Sequence, residues 1–194
     1  MPLCWDCSEW LHHIEIRTNC QTVADCIDAY IALSKKVFKI DNVLMNAIPL
    51  DDDRCRFSST DLENEIKTML RTKLGGDDYT MGGSQAQQGT KTFVVATKAV
   101  HADGVPTVFR SYKGNGVRPS RCKIWQAARA TSAAPSYFRE MFIDDPPPGM
   151  DFMDGGLLHN NPSSIALQEA RCIWPTIKHF GLVSIGTGRP KSVR

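Results

Sequence analysis

One aspartate stands out among the residues whose types and spacing can do chemistry. Residues 153–162 read M-D-G-G-L-L-H-N-N-P, so that Asp154 ends a short apolar run and two glycines follow it. Asn161 and Pro162 are typical of the start of a helix. The carboxylate is therefore predicted on a loop between a strand and a helix, which is where open α/β folds place their reactive groups.

The chemistry open to Asp154 is general base catalysis on a serine hydroxyl. An unperturbed aspartate is a weak base near neutral pH, so it needs a short and oriented hydrogen bond to that hydroxyl. Gly155 and Gly156 permit a close approach because they carry no side chain. An ordinary turn is the plainer interpretation of the motif. His159 is a candidate auxiliary base, with an exposed loop residue as its plainer interpretation.

No serine in the sequence has the surroundings of a hydrolase nucleophile. The motif G-x-S-x-G is needed where the backbone turns sharply from a strand into a helix. Ser84 comes closest, but alanine replaces its second glycine, and Ser184 lacks the first glycine. Ser132 and Ser136 are predicted at a helix end. We predict no nucleophile here, and no glycine-rich loop that could form an oxyanion hole precedes residue 75.

Length, charge and composition exclude several classes of protein. The 194 residues suit one domain with a buried core. A net charge of +2 argues against a nucleic-acid partner, which favours a strongly basic surface. We expect no secretory signal at the start of the chain, and no apolar run reaches about 18 residues. Seven scattered cysteines are typical of reduced thiols, so we expect a cytoplasmic protein with peripheral membrane contact at most.

Two further motifs have plainer alternatives. Cys4-x-x-Cys7, followed by two histidines, resembles half of a zinc site, but structural zinc needs four ligands at regular spacing. We therefore expect no metal and no cofactor, while a zinc module stays an open alternative. Basic residues at 118–123 and 189–194 could contact anionic lipid head groups, although a solvated charged surface is commoner.

Helices and strands alternate along much of the chain. This order predicts an α/β fold with a mostly parallel sheet and an added hairpin. Three consecutive prolines predict a stiff loop at 144–149. Predicted helices span 22–38, 60–74, 124–132 and 162–174, and predicted strands span 92–97, 107–112, 152–153 and 179–185.

Two helices have marked ends or faces. Thr60 with Glu63 is typical of a capping box, and Gly75 is typical of a helix stop. Thr22 with Asp25 has the same box spacing at the first helix. In that helix, the apolar face predicted to be buried includes Ile27, Tyr30, Ile31, Val37 and Phe38.

Several stretches together resemble one known family. Residues 124–138, I-W-Q-A-A-R-A-T-S-A-A-P-S-Y-F, are similar to one characteristic block of the patatin-like phospholipases. Residues 154–162 with Glu169-Ala170 resemble the block that holds the family's catalytic aspartate, and residues 183–188 resemble the strand after it. Residues 26–38 resemble the helix after the nucleophile in fungal-type members.

The resemblance implies a function and a fold. In this family a Ser–Asp dyad hydrolyses acyl esters of phospholipids and related lipids on a three-layer α/β sandwich with a mostly parallel central sheet. By resemblance, Asp154 is the proton acceptor, and Gly155 and Gly156 complete its D-G-G motif. The partner would be a phospholipid or another acyl-ester lipid at a peripheral membrane surface.

The resemblance also implies that part of the domain is missing. The family's serine elbow and oxyanion loop precede the helix matched at 22–38, and residues 1–21 resemble neither element. We expect an N-terminally truncated, patatin-like domain with an incomplete sheet. Its parts would be a non-matching segment at 1–20, the C-terminal part of the domain at 21–188, and a basic tail at 189–194.

Two functional interpretations remain beside the zinc alternative. The first is a patatin-like lipid acyl hydrolase that is close to inactive as this chain, because no residue can form the acyl-enzyme. The second is a non-catalytic lipid-binding or interaction module on the same scaffold. A gene model with an incorrect start would look the same. A G-x-S-x-G motif encoded upstream of Met1 would favour the enzyme.

Overall fold

The described residues fold into a mixture of helices and strands, which confirms the predicted α/β class. A computed structural model describes residues 3–4, 23–38, 55–83, 90–100, 104–145 and 147–185. The elements in chain order are β1 (Leu3–Cys4), α1 (Val23–Val37), α2 (Ser59–Leu74), β2 (Lys91–Lys98), β3 (Thr107–Arg110), α3 (Ile124–Thr131), β4 (Met141–Ile143), β5 (Met150–Asp154), α4 (Gly156–His159) and α5 (Ser163–Ile173).

Strand β2 is the centre of a five-stranded sheet with the order β1-β2-β5-β4, and β3 also pairs with β2. β1 pairs with the first two residues of β2, where Leu3 lies opposite Lys91. β5 pairs with the last three, where Asp154 lies opposite Ala96. The register therefore brings the end of β5, with its aspartate, against the middle strand of the sheet.

The strand directions differ from the mostly parallel sheet that the sequence predicts. Among the described ladders only β1–β2 is parallel, whereas β2–β3, β2–β5 and β4–β5 are antiparallel. The connections at 99–106 and 144–149 are too short for the crossover that parallel neighbours need, so β2–β3 and β4–β5 are hairpins. The predicted hairpin at residues 92–112 is confirmed.

Both faces of β2 are covered, which gives the predicted three-layer arrangement. Val94 and Ala96 belong to the larger core cluster, together with residues of α1, α2 and α3. Phe93 and Val95 belong to a second cluster with Ile165 and residues nearby in α5. Since side chains alternate along a strand, the two clusters lie on opposite faces of the sheet.

Helix α2 begins earlier than predicted. Ser58, and not Thr60, is the N-cap, because its Oγ accepts a hydrogen bond from the Asp61 N–H at 3.1 Å. Glu63 instead accepts a hydrogen bond from Lys67 one turn later. Gly75 ends the helix with a φ of 80°, which confirms the predicted stop.

Two predictions about apolar segments are wrong. Residues 179–185 form no strand, and Val183 and Ile185 are 79% and 68% exposed. They pair with no strand among the residues that the structure describes, and an apolar run without a neighbouring strand cannot form a ladder. In α1 the side chains of Ile27, Tyr30 and Ile31 are exposed, because only the C-terminal half of the helix packs onto the core.

The other predicted helices are confirmed within a residue or two of their ends. Thr22 and residues 186–194 lie outside the described residues, so the cap predicted at Thr22 stays a prediction. None of the described helices combines the length and the apolar character that a membrane-spanning helix needs.

Candidate functional site

Asp154 is held by its backbone where three elements meet. It is the last residue of β5, and it pairs with Ala96 of β2. Its N–H donates a hydrogen bond of 3.0 Å to the carbonyl oxygen of Ala133, which lies just beyond α3. The position of the carboxylate is therefore fixed by β2, β5 and the end of α3, as the sequence predicts for a residue at the end of a strand.

The carboxylate is oriented by its own loop. The N–H of Gly156 donates a hydrogen bond of 2.7 Å to Oδ1 of Asp154, and the side chain is half-buried. A Cβ atom at residue 156 would lie 3.1 Å from that same oxygen, which is a tight contact. The second glycine thus lets its backbone approach the carboxylate closely.

Gly155 is required by contact with the central strand. A Cβ atom at this position would lie 2.3 Å from the carbonyl oxygen of Val95. No heavy atom fits at that distance, so only glycine lets the chain turn here against β2. The first glycine of the D-G-G motif is therefore needed for a specific reason, which is the close packing of the loop on a buried strand.

Thr131 also contacts the carbonyl of Val95, and sequence reasoning missed this contact. Its buried hydroxyl donates a hydrogen bond of 2.7 Å to Val95 O. This hydrogen bond joins Thr131, the last residue of α3, to Val95 of β2. Gly155 packs against the same strand residue. Thr131 lies in the block that resembles the patatin-like family, but no spacing rule relates it to a residue 36 positions earlier.

His159 lies beside this loop and is only partly exposed. It ends the short helix α4, where its N–H donates a hydrogen bond of 2.8 Å to Gly155 O. Its Nε2 atom is buried and has no hydrogen-bond partner within the described part of the chain. The residue lines a cavity of about 20 Å³, enough for one water molecule, with Thr131 and both glycines. A role as auxiliary base stays a prediction.

A buried ionic cluster anchors the helix that follows the loop. Glu169 of α5 accepts two hydrogen bonds of 2.6 Å from the Arg110 guanidinium and one of 2.7 Å from the Tyr112 hydroxyl. Burial and the hydrogen bond to Glu169 both raise the pKa of Tyr112. Burial alone would lower the pKa of Arg110, but its hydrogen bond and charge attraction to Glu169 raise it. The cluster thus fixes α5 against β3.

The sequence model of a known family matches most of the chain. The matching family is described as patatin-like phospholipase, and the match covers residues 21–167. The chain belongs to the patatin-like phospholipase family. At the level of the family, the chain is therefore similar to lipid acyl hydrolases.

Relatives of this patatin-like chain include proteins from animals, plants and bacteria. Human calcium-independent phospholipase A2-gamma is 32% identical over 178 residues, which are 87% of this chain and 21% of that protein. Phospholipase A I of Arabidopsis thaliana is 43% identical over 38% of the chain and 6% of its own length. The cGAMP-activated phospholipase of Vibrio cholerae is 50% identical over 27% of the chain and 14% of its own length. The chain thus spans about a fifth of the length of the first relative and a smaller share of the length of the other two.

The serines of the patatin-like chain are placed as follows. Ser132 is the C-cap of α3, which agrees with the predicted helix end. Ser136 is exposed and has a left-handed backbone with a φ of 67°. Ser184 lies in the exposed stretch that forms no strand. Ser84 lies outside the described residues, so its candidacy as a nucleophile stays untested.

The remaining site predictions fall largely on residues that the structure does not describe. Cys7, the two histidines after it and the basic residues at 189–194 are among them. Within the described ranges no group of three or more His, Cys, Asp or Glu side chains could hold a metal ion. In the basic stretch at 118–123, Lys123 pairs with the exposed Asp78 at 2.5 Å, as expected of a solvated surface.

Proposed function

We propose that Asp154 is the proton acceptor of a Ser–Asp dyad that hydrolyses acyl esters of phospholipids or related lipids. The observation that supports this most directly is the oriented carboxylate at the end of β5. Its backbone is held by Ala133, and its Oδ1 atom accepts a hydrogen bond from the Gly156 N–H. A general base acts well only when its lone pair is directed at the proton it removes, and a fixed loop provides that orientation.

The reaction proceeds in two steps on this proposal. Asp154 accepts the proton of the serine hydroxyl while the serine oxygen attacks the ester carbonyl, and it returns that proton to the alcohol as the ester C–O bond breaks. Water then attacks the acyl-enzyme, again with Asp154 as base, and releases the fatty acid and the free serine. The substrate would be a phospholipid or a similar acyl ester at a membrane surface.

The 194 residues contain no G-x-S-x-G sequence, so we propose that this chain forms no acyl-enzyme by itself. Loss of the nucleophile in an unrelated serine hydrolase lowers kcat by about 10⁶. On this proposal residues 21–188 are the aspartate-bearing part of the domain. The serine and the oxyanion donors would come from sequence outside these residues.

Labelling with a fluorophosphonate, which reacts with activated serines, tests the proposal that this chain forms no acyl-enzyme by itself. We expect no labelling of the purified chain, and none of its Asp154→Ala variant. Labelling that disappears in Asp154→Ala would contradict the proposed inactivity, because it would require an activated serine within the chain. The Ser84→Ala variant would then be the first to measure, with Ser184→Ala as a comparison.

A non-catalytic lipid-binding module is the second candidate. Besides the missing serine motif, two exposed apolar side chains support it, since Leu157 and Leu158 are 50% and 47% exposed directly after the D-G-G motif. Apolar groups there could contact lipid without any chemistry. Sedimentation with phospholipid vesicles, combined with an assay for released fatty acid, distinguishes the candidates. Hydrolysis by a longer product that contains the serine motif would exclude the second candidate for the gene.

A further inference from the structure

A second and much larger cavity lies beside the strand that ends in Asp154. Its volume is about 630 Å³, within the range of small-molecule sites, and it opens between the start of α2 and residues 135–142. Asp151 and Met153 of β5 line one wall. Asp154 itself does not line the cavity, but the preceding residue Met153 does, so the cavity lies one residue along β5 from the candidate base.

Backbone hydrogen bonds hold the rim of this cavity. The N–H groups of Arg56 and Phe57 donate to the carbonyl oxygens of Ser136 and Tyr137, at 2.9 and 3.0 Å. The Arg139 N–H donates to Oγ of Ser59, the first residue of α2, at 2.8 Å. The two segments therefore form a fixed opening, and a ligand would bind without first having to order them.

Two arginines that line the cavity, Arg129 and Arg139, bring positive charge to it. Arg129 is 2% exposed, and its Nη2 donates a hydrogen bond of 2.6 Å to Arg139 O. Its Nη1 has no acceptor within the described residues. Burial lowers the pKa of Arg129 to about 10, so the group stays charged at neutral pH. Because Nη1 is shielded from solvent, Arg129 acts on a ligand through its charge, while the exposed Arg139 can contact it.

Negative charge also lines the cavity. Glu63, Glu140 and Asp151 also line the cavity, and Glu63 is paired with Lys67 at 2.5 Å. Glu140 and Asp151 make no side-chain hydrogen bond or ion pair with another described residue. Two guanidinium groups and two carboxylates thus line the same cavity. Phe142, 52% exposed, adds an aromatic ring of the kind that attracts ammonium groups.

We propose that this cavity binds a zwitterionic lipid head group, with its phosphate towards Arg129 and Arg139 and its ammonium towards Glu140 and Asp151. This inference rests on the proposed function, since the head group would place the acyl ester near Asp154. A purely anionic head group would meet the two carboxylates, and a purely cationic one would meet the two guanidinium groups. Repulsion of purely anionic and purely cationic head groups would therefore make the cavity selective for a zwitterionic one.

Binding of glycerophosphocholine to the whole chain, measured by titration calorimetry, tests the proposal without hydrolysis. We expect Arg139→Gln and Asp151→Asn each to raise Kd about tenfold, because each removes a charged contact. The exposed residues Arg171 and Asp28 lie outside the cavity, so Arg171→Gln and Asp28→Asn are matched controls that should leave Kd unchanged. Absent binding, or one Kd for all variants, would overturn the head-group site.

Simpler ligands test the zwitterionic character. Glycerol 3-phosphate and choline each carry half of the charge pattern, and we expect both to bind more weakly than glycerophosphocholine. Glycerol 3-phosphate that binds as tightly, and is insensitive to Asp151→Asn, would show an anion site and overturn the proposal.

Sedimentation with phosphatidylcholine vesicles separates a lipid head group from a soluble phosphodiester. Vesicle binding that is weakened by Arg139→Gln and Asp151→Asn supports the lipid head group. Binding of the soluble compound alone would overturn that assignment. If neither variant changes binding while Asp154→Asn abolishes hydrolysis in a longer product with the serine motif, the head-group site fails and the dyad proposal stands.

Discussion

At the scale of single residues, the D-G-G motif combines two different requirements. Gly156 is favoured because a Cβ atom there would lie 3.1 Å from Oδ1 of Asp154, the oxygen that accepts its N–H at 2.7 Å. Gly155 is needed because the loop packs on the carbonyl oxygen of Val95, where a Cβ atom would lie 2.3 Å away. The first requirement concerns the orientation of the proposed base, and the second concerns the stability of the loop.

Gly155→Ala should destabilise the chain by about 1 to 3 kcal/mol, because the added methyl group overpacks the contact with β2. Gly181→Ala is the matched control, since a Cβ atom there would meet no heavy atom within 4 Å. We expect the control to change stability by less than about 1 kcal/mol. Urea unfolding measures both variants, and equal free energies of unfolding for the two would contradict the close contact.

Asp154→Asn should lower kcat by about 10⁴-fold in a longer product that supplies the serine motif, because the amide cannot accept the proton. Asn keeps the shape of the side chain and can still accept a hydrogen bond from the Gly156 N–H. The thermal unfolding temperature should therefore change little. Hydrolysis of a phospholipid substrate is the measurement, and activity within tenfold of the unmodified protein would exclude Asp154 as the base.

At the scale of elements, the ionic cluster of Arg110, Tyr112 and Glu169 joins α5 to β3. Glu169 is almost fully buried and accepts three hydrogen bonds. Removal of one partner from such a cluster leaves a buried charge without compensation. The cluster thereby holds the helix that follows the D-G-G loop.

Glu169→Gln should destabilise the chain by about 2 to 4 kcal/mol, somewhat less than a fully buried pair because the Arg110 side chain keeps 20% exposure. Asp77→Asn is the matched control, since Asp77 pairs at 2.7 Å with an Arg71 side chain that is 59% exposed. It should cost less than about 1 kcal/mol. Chemical denaturation compares the two, and a smaller loss for Glu169→Gln would contradict the proposed anchor.

The same cluster predicts a loss of stability at alkaline pH. Because the pKa of Tyr112 is raised in the folded chain, the folded state keeps a proton that the unfolded chain loses near the ordinary pKa of 10.0. The stabilisation is therefore complete below that pH and is lost as the pH rises above it. Unfolding free energies between about pH 8 and 11 measure the effect. The Tyr112→Phe variant should show a shallower alkaline decline, and an identical decline would contradict the assignment.

At the scale of the whole molecule, several apolar surfaces have no partner among the described residues. Half of α1 exposes the side chains of Ile27, Tyr30 and Ile31, and residues 182–185 expose three more. Burial of such groups supplies most of the stability of a domain. The described part of the chain leaves these groups in water, so it lacks part of the usual driving force.

We expect the isolated chain to be marginally stable and to aggregate, because exposed apolar faces and unpaired strand edges favour association. Size-exclusion chromatography and differential scanning calorimetry measure this. A monomer with a sharp, cooperative thermal transition would contradict the expectation. Ile27→Lys in α1 should improve solubility without loss of stability, since that side chain is exposed.

The sequence by itself determined the features that depend on near neighbours. The position of Asp154 after a strand, the end of α2 at Gly75 and most helix boundaries follow from local periodicity and capping, which act within a few residues. The blocks at 124–138 and 154–162 sufficed for the family. The site residues joined by short spacing could therefore be predicted from the sequence.

Only the tertiary structure decided which distant residues meet. The hydrogen bond from Thr131 to Val95 spans 36 positions, and the Arg110–Glu169 pair spans 59. The mostly parallel strand directions and the strand at 179–185 were wrongly predicted. An apolar run indicates burial, but it does not specify the strand with which it pairs. Pairing depends on the packing of the whole sheet, and no local pattern encodes it.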